Sequence, residues 1–220
     1  MIEIYCANTK IEMAETDKTK TDLPLMIRGK SMNAGYIKSK NFYIPEDELD
    51  NVVNTLKTGV DGTGAYILKD HGFNSLFGSK SVDFLIGKIV DAEKNGKDVN
   101  YTARIEDSDI ANKIRKNLVS SSSIGMSVKE AYCSICGREY GHPECTHLLG
   151  KEYSEEGFVK DYQKYLPDFD NKAIAAIVGR GITAKEQSIV LFPAIEGSNA
   201  VPMGLNFSEE TSNHIEDIET

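Results

Sequence analysis

An apolar run and an alternating run on either side of Lys94-Asn95-Gly96 constrain this chain more than any other feature. Before the turn lies the apolar run Phe84-Leu85-Ile86-Gly87-Lys88-Ile89-Val90; after it Val99, Tyr101, Ala103 and Ile105 recur at every second position. A period of two with Asn-Gly between the runs is the signal of a β-hairpin, because the tight turn needs positive φ and each strand presents one face to a core. Other segments fit the same frame. Residues up to Tyr43 alternate loosely around Gly29, Asn33 and Gly35, which predicts short strands with turns, and Tyr66-Ile67-Leu68 reads as a short buried strand. In the run that begins at Ser120, Ile124, Met126 and Val128 point one way while Ser123, Gly125 and Ser127 point the other. Gln187-Ser188-Ile189-Val190-Leu191-Phe192 is a last strand, stopped by Pro193.

Helices interrupt these strands. Pro45 suits a first turn, Glu46, Asp47 and Glu48 complement the positive end of the helix dipole, and Leu49, Val52, Val53 and Leu56 form one stripe that ends at Gly59 and Gly62. Asp107 or Ser108 can cap a second helix whose Ile110, Ile114 and Leu118 share a face. A third, short and apolar, is expected over 173–178, inside a polar insertion spanning 132–180. The fold class expected is α+β: a β-barrel or curled, antiparallel-rich sheet flanked by helices.

Charge narrows the function classes. The net charge is −9, but 206–220 holds Glu209, Glu210, Glu216, Asp217 and Glu219 with no Lys or Arg, so the body carries only −4. That body has no basic footprint for nucleic acid. The acidic tail has no clear apolar face and is expected to be disordered. The first residues lack the pattern of a signal peptide, and no apolar run is long enough to span a bilayer. A cytosolic protein with reduced cysteines is the expectation.

Two groups of residues carry chemistry. Of four histidines, His142 and His147 sit in a cysteine cluster and His214 in the acidic tail, which leaves His71, just past a strand in Asp70-His71-Gly72. If a serine acts as nucleophile, His71 is nearly the only base available, and the run Ser120-Ser121-Ser122-Ser123 supplies the hydroxyl. Ser123 lies where a helix gives way to a strand, opposite the apolar face, and Gly125 allows close backbone approach to a substrate. The second group is Cys133-x2-Cys136-Gly137 with Cys145-x-His147. Cys133, Cys136, Cys145 and His147 match the ligand set of a closed, structural Zn²⁺ site that would staple the insertion. His142 is a rival fourth ligand. Only Cys6 lies outside the cluster.

Several blocks in order resemble the prohead, or head maturation, serine proteases of tailed bacteriophages, which share the assemblin-like fold of herpesvirus capsid proteases. The resemblance is carried by Asn41-Phe42-Tyr43-Ile44-Pro45, Lys69-Asp70-His71, Ile86-Gly87-Lys88-Ile89, Ser123-Ile124-Gly125-Met126 and Glu186-Gln187-Ser188-Ile189-Val190-Leu191-Phe192-Pro193-Ala194. It implies a catalytic base at His71, a nucleophile at Ser123 with Ser122 as rival, and a third member at Glu186. Asp70, Asp83 and Asp91 are rival carboxylates. It further implies a protease domain over 1–131 and 181–205, split by the zinc-binding insertion 132–180 and followed by the tail 206–220. The expected partners are phage scaffold and major capsid proteins and further copies of the chain, with no membrane and no nucleic acid. The expected place is the procapsid in the cytoplasm of an infected bacterium. Rival readings are a non-catalytic capsid-assembly protein that keeps the fold and a zinc-stapled nucleic-acid-binding module.

Overall fold

The computed structural model describes residues 2–13, 23–59, 62–69, 82–154 and 172–190. Within them a long mixed sheet forms from β1 (Ile2–Met13), β2 (Leu25–Asn33), β3 (Gly35–Ile37), β4 (Phe42–Ile44), β5 (Tyr66–Lys69), β6 (Leu85–Asn95), β7 (Asp98–Ile105), β8 (Ser121–Cys133) and, last in chain order, β11 (Ile177–Val190). Neighbouring strands run β3-β4-β11-β5-β6-β7-β2-β1-β8, and β8 pairs back onto β11, so seven of the strands close into a ring. Only the β11–β4 and β11–β5 pairs in this sheet are parallel. The expected α+β class with a curled, antiparallel-rich sheet is what the chain forms. Each of those seven strands is paired on both sides over at least part of its length, which limits the aggregation hazard of an open sheet.

The predicted hairpin is β6–β7, turning at Gly96 with φ 58°. Its inward residues Val99, Tyr101, Ala103 and Ile105 are buried in a single core with Ile27, Ile67, Ile124, Met126, Val128 and Ile182.

The first helix, α1 (Leu49–Thr58), follows a 3-10 turn at Glu46–Glu48 and buries Leu49, Val52 and Leu56. Its polar face does something the stripe alone does not show. β11 bonds to β4 at Ile177 and Val178 and to β5 from Glu186 onward. Between those points α1 replaces a strand: Glu48 Oε2 accepts from Ile182 N (3.0 Å), Asn51 Nδ2 donates to Ile182 O (2.6 Å), and Thr55 Oγ1 accepts from Ala184 N (2.9 Å). Backbone groups that a missing strand would orphan are thereby satisfied.

The second helix, α2 (Ser108–Arg115), is capped by Asp107, whose Oδ1 accepts from Ile110 N at 2.9 Å. Such a cap contributes about 1 kcal/mol. Ile110 and Ile114 are buried as expected, but Leu118 is 65% exposed. The helix stops at Arg115, and Asn117 takes a left-handed φ of 55°, so Leu118 has left the helical face.

The expected helix over 173–178 does not form. Lys172–Ile174 is a strand, β10, paired with β9 (Glu152–Ser154), and Ile177 already begins β11. β-branched Ile174, Ile177 and Val178 suit an extended chain, and tertiary pairing decides a segment too short to nucleate a helix. β11 therefore starts ten residues before the strand expected at Gln187. Leu191 and Phe192, also expected in that strand, and the acidic tail lie outside the described residues.

Candidate active site and metal centre

β8 and β11 lie antiparallel, with Ser123 opposite Ser188, Gly125 opposite Glu186 and Ile124 opposite Gln187. Directly opposed residues share a face of the sheet. One face thus gathers Ser123, Gly125, Glu186 and Ser188; the other, turned to the core, gathers Ser122, Ile124, Gln187 and Ile189.

A shift of register makes this possible. Ala184 pairs with Met126, but the next pair is Glu186 with Gly125, leaving Lys185 outside the ladder. Without that bulge, Glu186 would follow buried Ala184 into the barrel. β1 has a matching irregularity: Ala7 pairs with Ser123 and Thr9 with Ser122, which skips Asn8.

Glu186 is only 2% exposed and accepts a very short hydrogen bond from the Ser188 hydroxyl. On its other side it is level with Tyr66 of β5, as Ser188 is with Leu68. Gly125 does not leave room for substrate as expected. Its space is filled by Glu186: a Cβ there would collide with Oε1 and lie 3.0 Å from Cδ and Cγ. Ser123 is itself buried, and its hydroxyl has no hydrogen-bond partner among the described residues.

Ser122, the rival, has a different environment. Its Oγ accepts from Tyr101 OH (3.0 Å) and from Gln187 Nε2 (3.0 Å), and Gln187 Oε1 accepts from Ser31 Oγ (2.7 Å). Burial holds the Tyr101 phenol far above its ordinary pKa, so it stays a neutral donor. This buried polar quartet had no sequence signal beyond the polar residues themselves at core positions. Nor did Ser188 stand out.

Of the rival carboxylates, Asp91 is exposed and tied to Lys57 (3.0 Å), which holds its carboxyl below the usual range. Asp83 is exposed, in a 3-10 turn before β6. His71 and Asp70 lie outside the described residues.

The cysteine cluster assembles at the far end of the same two strands. β8 ends at Cys133, opposite Ile177, and the chain turns back so that Gly137 N bonds Cys133 O (2.8 Å), with φ 67° at Gly137. Ligand atoms of Cys133, Cys136, Cys145 and His147 all lie within 4.8 Å of one another. Cys136 Sγ is 3.6 Å from Cys145 Sγ, and Cys145 Sγ is 3.9 Å from His147 Nδ1. Four such atoms around one tetrahedral ion would stand about 3.5–3.8 Å apart, so the donor set fits. The rival His142 is used otherwise, its Nδ1 accepting from Glu144 N at 3.2 Å. Tyr153 packs edge-on against the His147 ring (centroids 4.7 Å apart) and its hydroxyl accepts from Leu148 N. Burial pushes the Cys133 thiol up to about 12. Ile135, Ala173 and Ala175 form a small separate core beneath the cluster.

The class these features define is an α+β protein on a curled mixed sheet, with a buried Ser123–Glu186 face at one end of its longest strand pair and a Cys3His cluster at the other. Among solved structures it is similar to the bacteriophage T4 capsid assembly protease, gp21, with a TM-score of 0.49 and 13% sequence identity over 86% of this chain and 97% of that one. No family model matches the chain, and no curated protein does. Among the described residues, no helix is long and apolar enough to cross a membrane.

Proposed function

We propose that the protein is a serine endopeptidase of phage head maturation, with Ser123 as nucleophile, His71 as base and Glu186 as the acid that orients it. The observation that carries this reading is the shared face of Ser123 and Glu186, two residues apart in level on adjacent strands, against a glycine that makes room for the carboxylate. Chain connectivity supports the base. Lys69, the last residue of β5, pairs with Ile189, which is opposite Ser122. Lys69, two residues before His71, thus ends β5 beside Ile189, the chain neighbour of Ser188.

In the reaction, Ser123 Oγ attacks the scissile carbonyl as His71 takes its proton. The C–N bond breaks when His71 gives that proton to the leaving amine, and an acyl ester remains on Ser123. Water, deprotonated by His71, then cleaves the ester and restores the hydroxyl. Glu186 fixes the imidazole tautomer and stabilises its charged form. The protease domain comprises 1–131 and 181–205; 132–180 is the insertion and 206–220 the acidic tail. Substrates are segments of scaffold and major capsid proteins, and the chain itself, within the procapsid of an infected cell.

The cluster holds Zn²⁺ in a structural role. Ten residues of strand separate Ser123 from Cys133, about 33 Å of extended chain, so the ion cannot touch the serine. All four positions are taken by protein donors, which leaves none for a catalytic water.

The test is intact mass over time for wild type, Ser123→Ala and Ser122→Ala, alone and with cognate capsid and scaffold proteins. Defined cleavage in wild type and its loss in Ser123→Ala are expected. Equal cleavage in Ser123→Ala, or none in any sample, would overturn the reading.

A further inference from the structure

We propose that the buried quartet Ser31, Tyr101, Ser122 and Gln187 is the positioning device that fixes the bulge at Lys185 and so sets which serine meets Glu186; this rests on the catalytic reading above. The argument starts from an ambiguity. Of four consecutive serines, Ser120 to Ser123, the last three open β8 and give that strand segment identical side chains at every position. Register in a sheet is set by the apolar pattern, and in β8 it is supplied by Ile124, next to the serines, and by Met126 and Val128 beyond Gly125. The serine segment is set off from Met126 and Val128 by two skipped residues: Lys185 on β11, between the partners of Met126 and Gly125, and Asn8 on β1, between those of Ser123 and Ser122. Moving the bulge along β11 would exchange the faces of Glu186 and Gln187 while costing little apolar contact.

The quartet penalises that move. Ser122 Oγ receives Tyr101 OH from β7 and Gln187 Nε2 from β11, and Gln187 Oε1 receives Ser31 from β2. All four residues are essentially unexposed. Shifting Gln187 outward would break two of these bonds inside a closed barrel and leave buried groups unpaired. Ser31 itself sits at the register shift between Lys30 and Met32 of β2, so the network joins two irregular strands across the interior. The outer face completes the lock, since only glycine at 125 accepts Glu186. None of the four touches substrate: they act through the backbone of Ser123 and Glu186, back to back with the site.

A merely structural network and a positioning one separate in a fully apolar replacement. Single substitutions strand buried partners and destabilise under either view. Replacing the set together (Ser31→Ala, Tyr101→Phe, Ser122→Ala, Gln187→Met) removes both sides of the three bonds within it, which costs far less than stranding one side. The full chain and this quadruple variant are treated with a fluorophosphonate, the labelled serine is mapped by tandem mass spectrometry, and thermal unfolding is recorded for both. The expected result is a variant that unfolds close to wild type but labels Ser123 at least about tenfold more slowly, as misplacement near the reacting atoms costs. Labelling of Ser123 at the wild-type rate would overturn the proposal. If wild type takes no label, the serine-hydrolase reading fails instead, and amide hydrogen exchange decides the network alone. Faster exchange confined to 121–125 and 185–189 in the variant supports the lock; unchanged or uniformly faster exchange overturns it.

Discussion

Glu186 shows how much one residue depends on its immediate neighbours. A carboxylate 2% exposed is costly unless hydrogen-bonded, and here Ser188 donates to it while Gly125 yields the volume it occupies. Gly125→Ala therefore tests the site at its tightest point. The added methyl meets a side chain that cannot swing aside without losing Ser188. We expect a loss of about 1–3 kcal/mol in urea unfolding, together with a fall in fluorophosphonate labelling of Ser123. Unchanged stability and labelling would mean that Glu186 is free to move and does not orient a base.

At the scale of elements, α1 acts as a substitute strand. It bridges the gap on the edge of β11 between β4 and β5 through Glu48, Asn51 and Thr55. Thr55 Oγ1 is doubly engaged, donating within the helix to Asn51 O (2.9 Å) while accepting from Ala184 N. Thr55→Val keeps the shape and removes the acceptor, leaving Ala184 N unpaired one residue before the bulge. The expected cost is about 1–3 kcal/mol, measured by urea unfolding, with faster amide exchange at Ala184. Loss of exchange protection in α1 but not in β11 would show that the helix is a passive cover. An amphipathic stripe makes the helix legible in the sequence, but its polar partners on β11 come from residues more than 120 positions away.

For the whole molecule, the long β8–β11 pair separates two groups of residues, the Ser123–Glu186 face proposed to be reactive at one end and the Cys3His cluster proposed to hold the ion at the other. Removing the ion should then unfold the cluster and spare the chemistry. With a strong chelator we expect rapid proteolysis within 133–154, while Ser123 labelling falls by less than about twofold, given a separation too great for direct contact. Comparable loss of both would tie the cluster to the active site. Binding should also release protons. The Cys133 thiol, pushed up to about 12 by burial, is neutral at pH 7 in the metal-free chain and must ionise to bind. Affinity therefore rises with pH and is lost as pH falls, a trend that competition titrations between pH 6 and 8 would read directly.

Local signals settled much of this protein. Alternation and an Asn-Gly turn determined the β6–β7 hairpin, an apolar stripe determined α1, a capping aspartate determined α2, and cysteine spacing pointed to the Cys3His cluster. Each depends on residues close in the chain, where propensity and periodicity act directly. Tertiary structure alone decided the rest: closure of the ring by β8 on β11, the extended form of 172–178, the bulge at Lys185, and hence the face on which Glu186 stands. A bulge changes the facing of every residue beyond it without any mark in the local sequence. Its position is set by hydrogen bonds among Ser31, Tyr101, Ser122 and Gln187, groups that meet only once the barrel has closed.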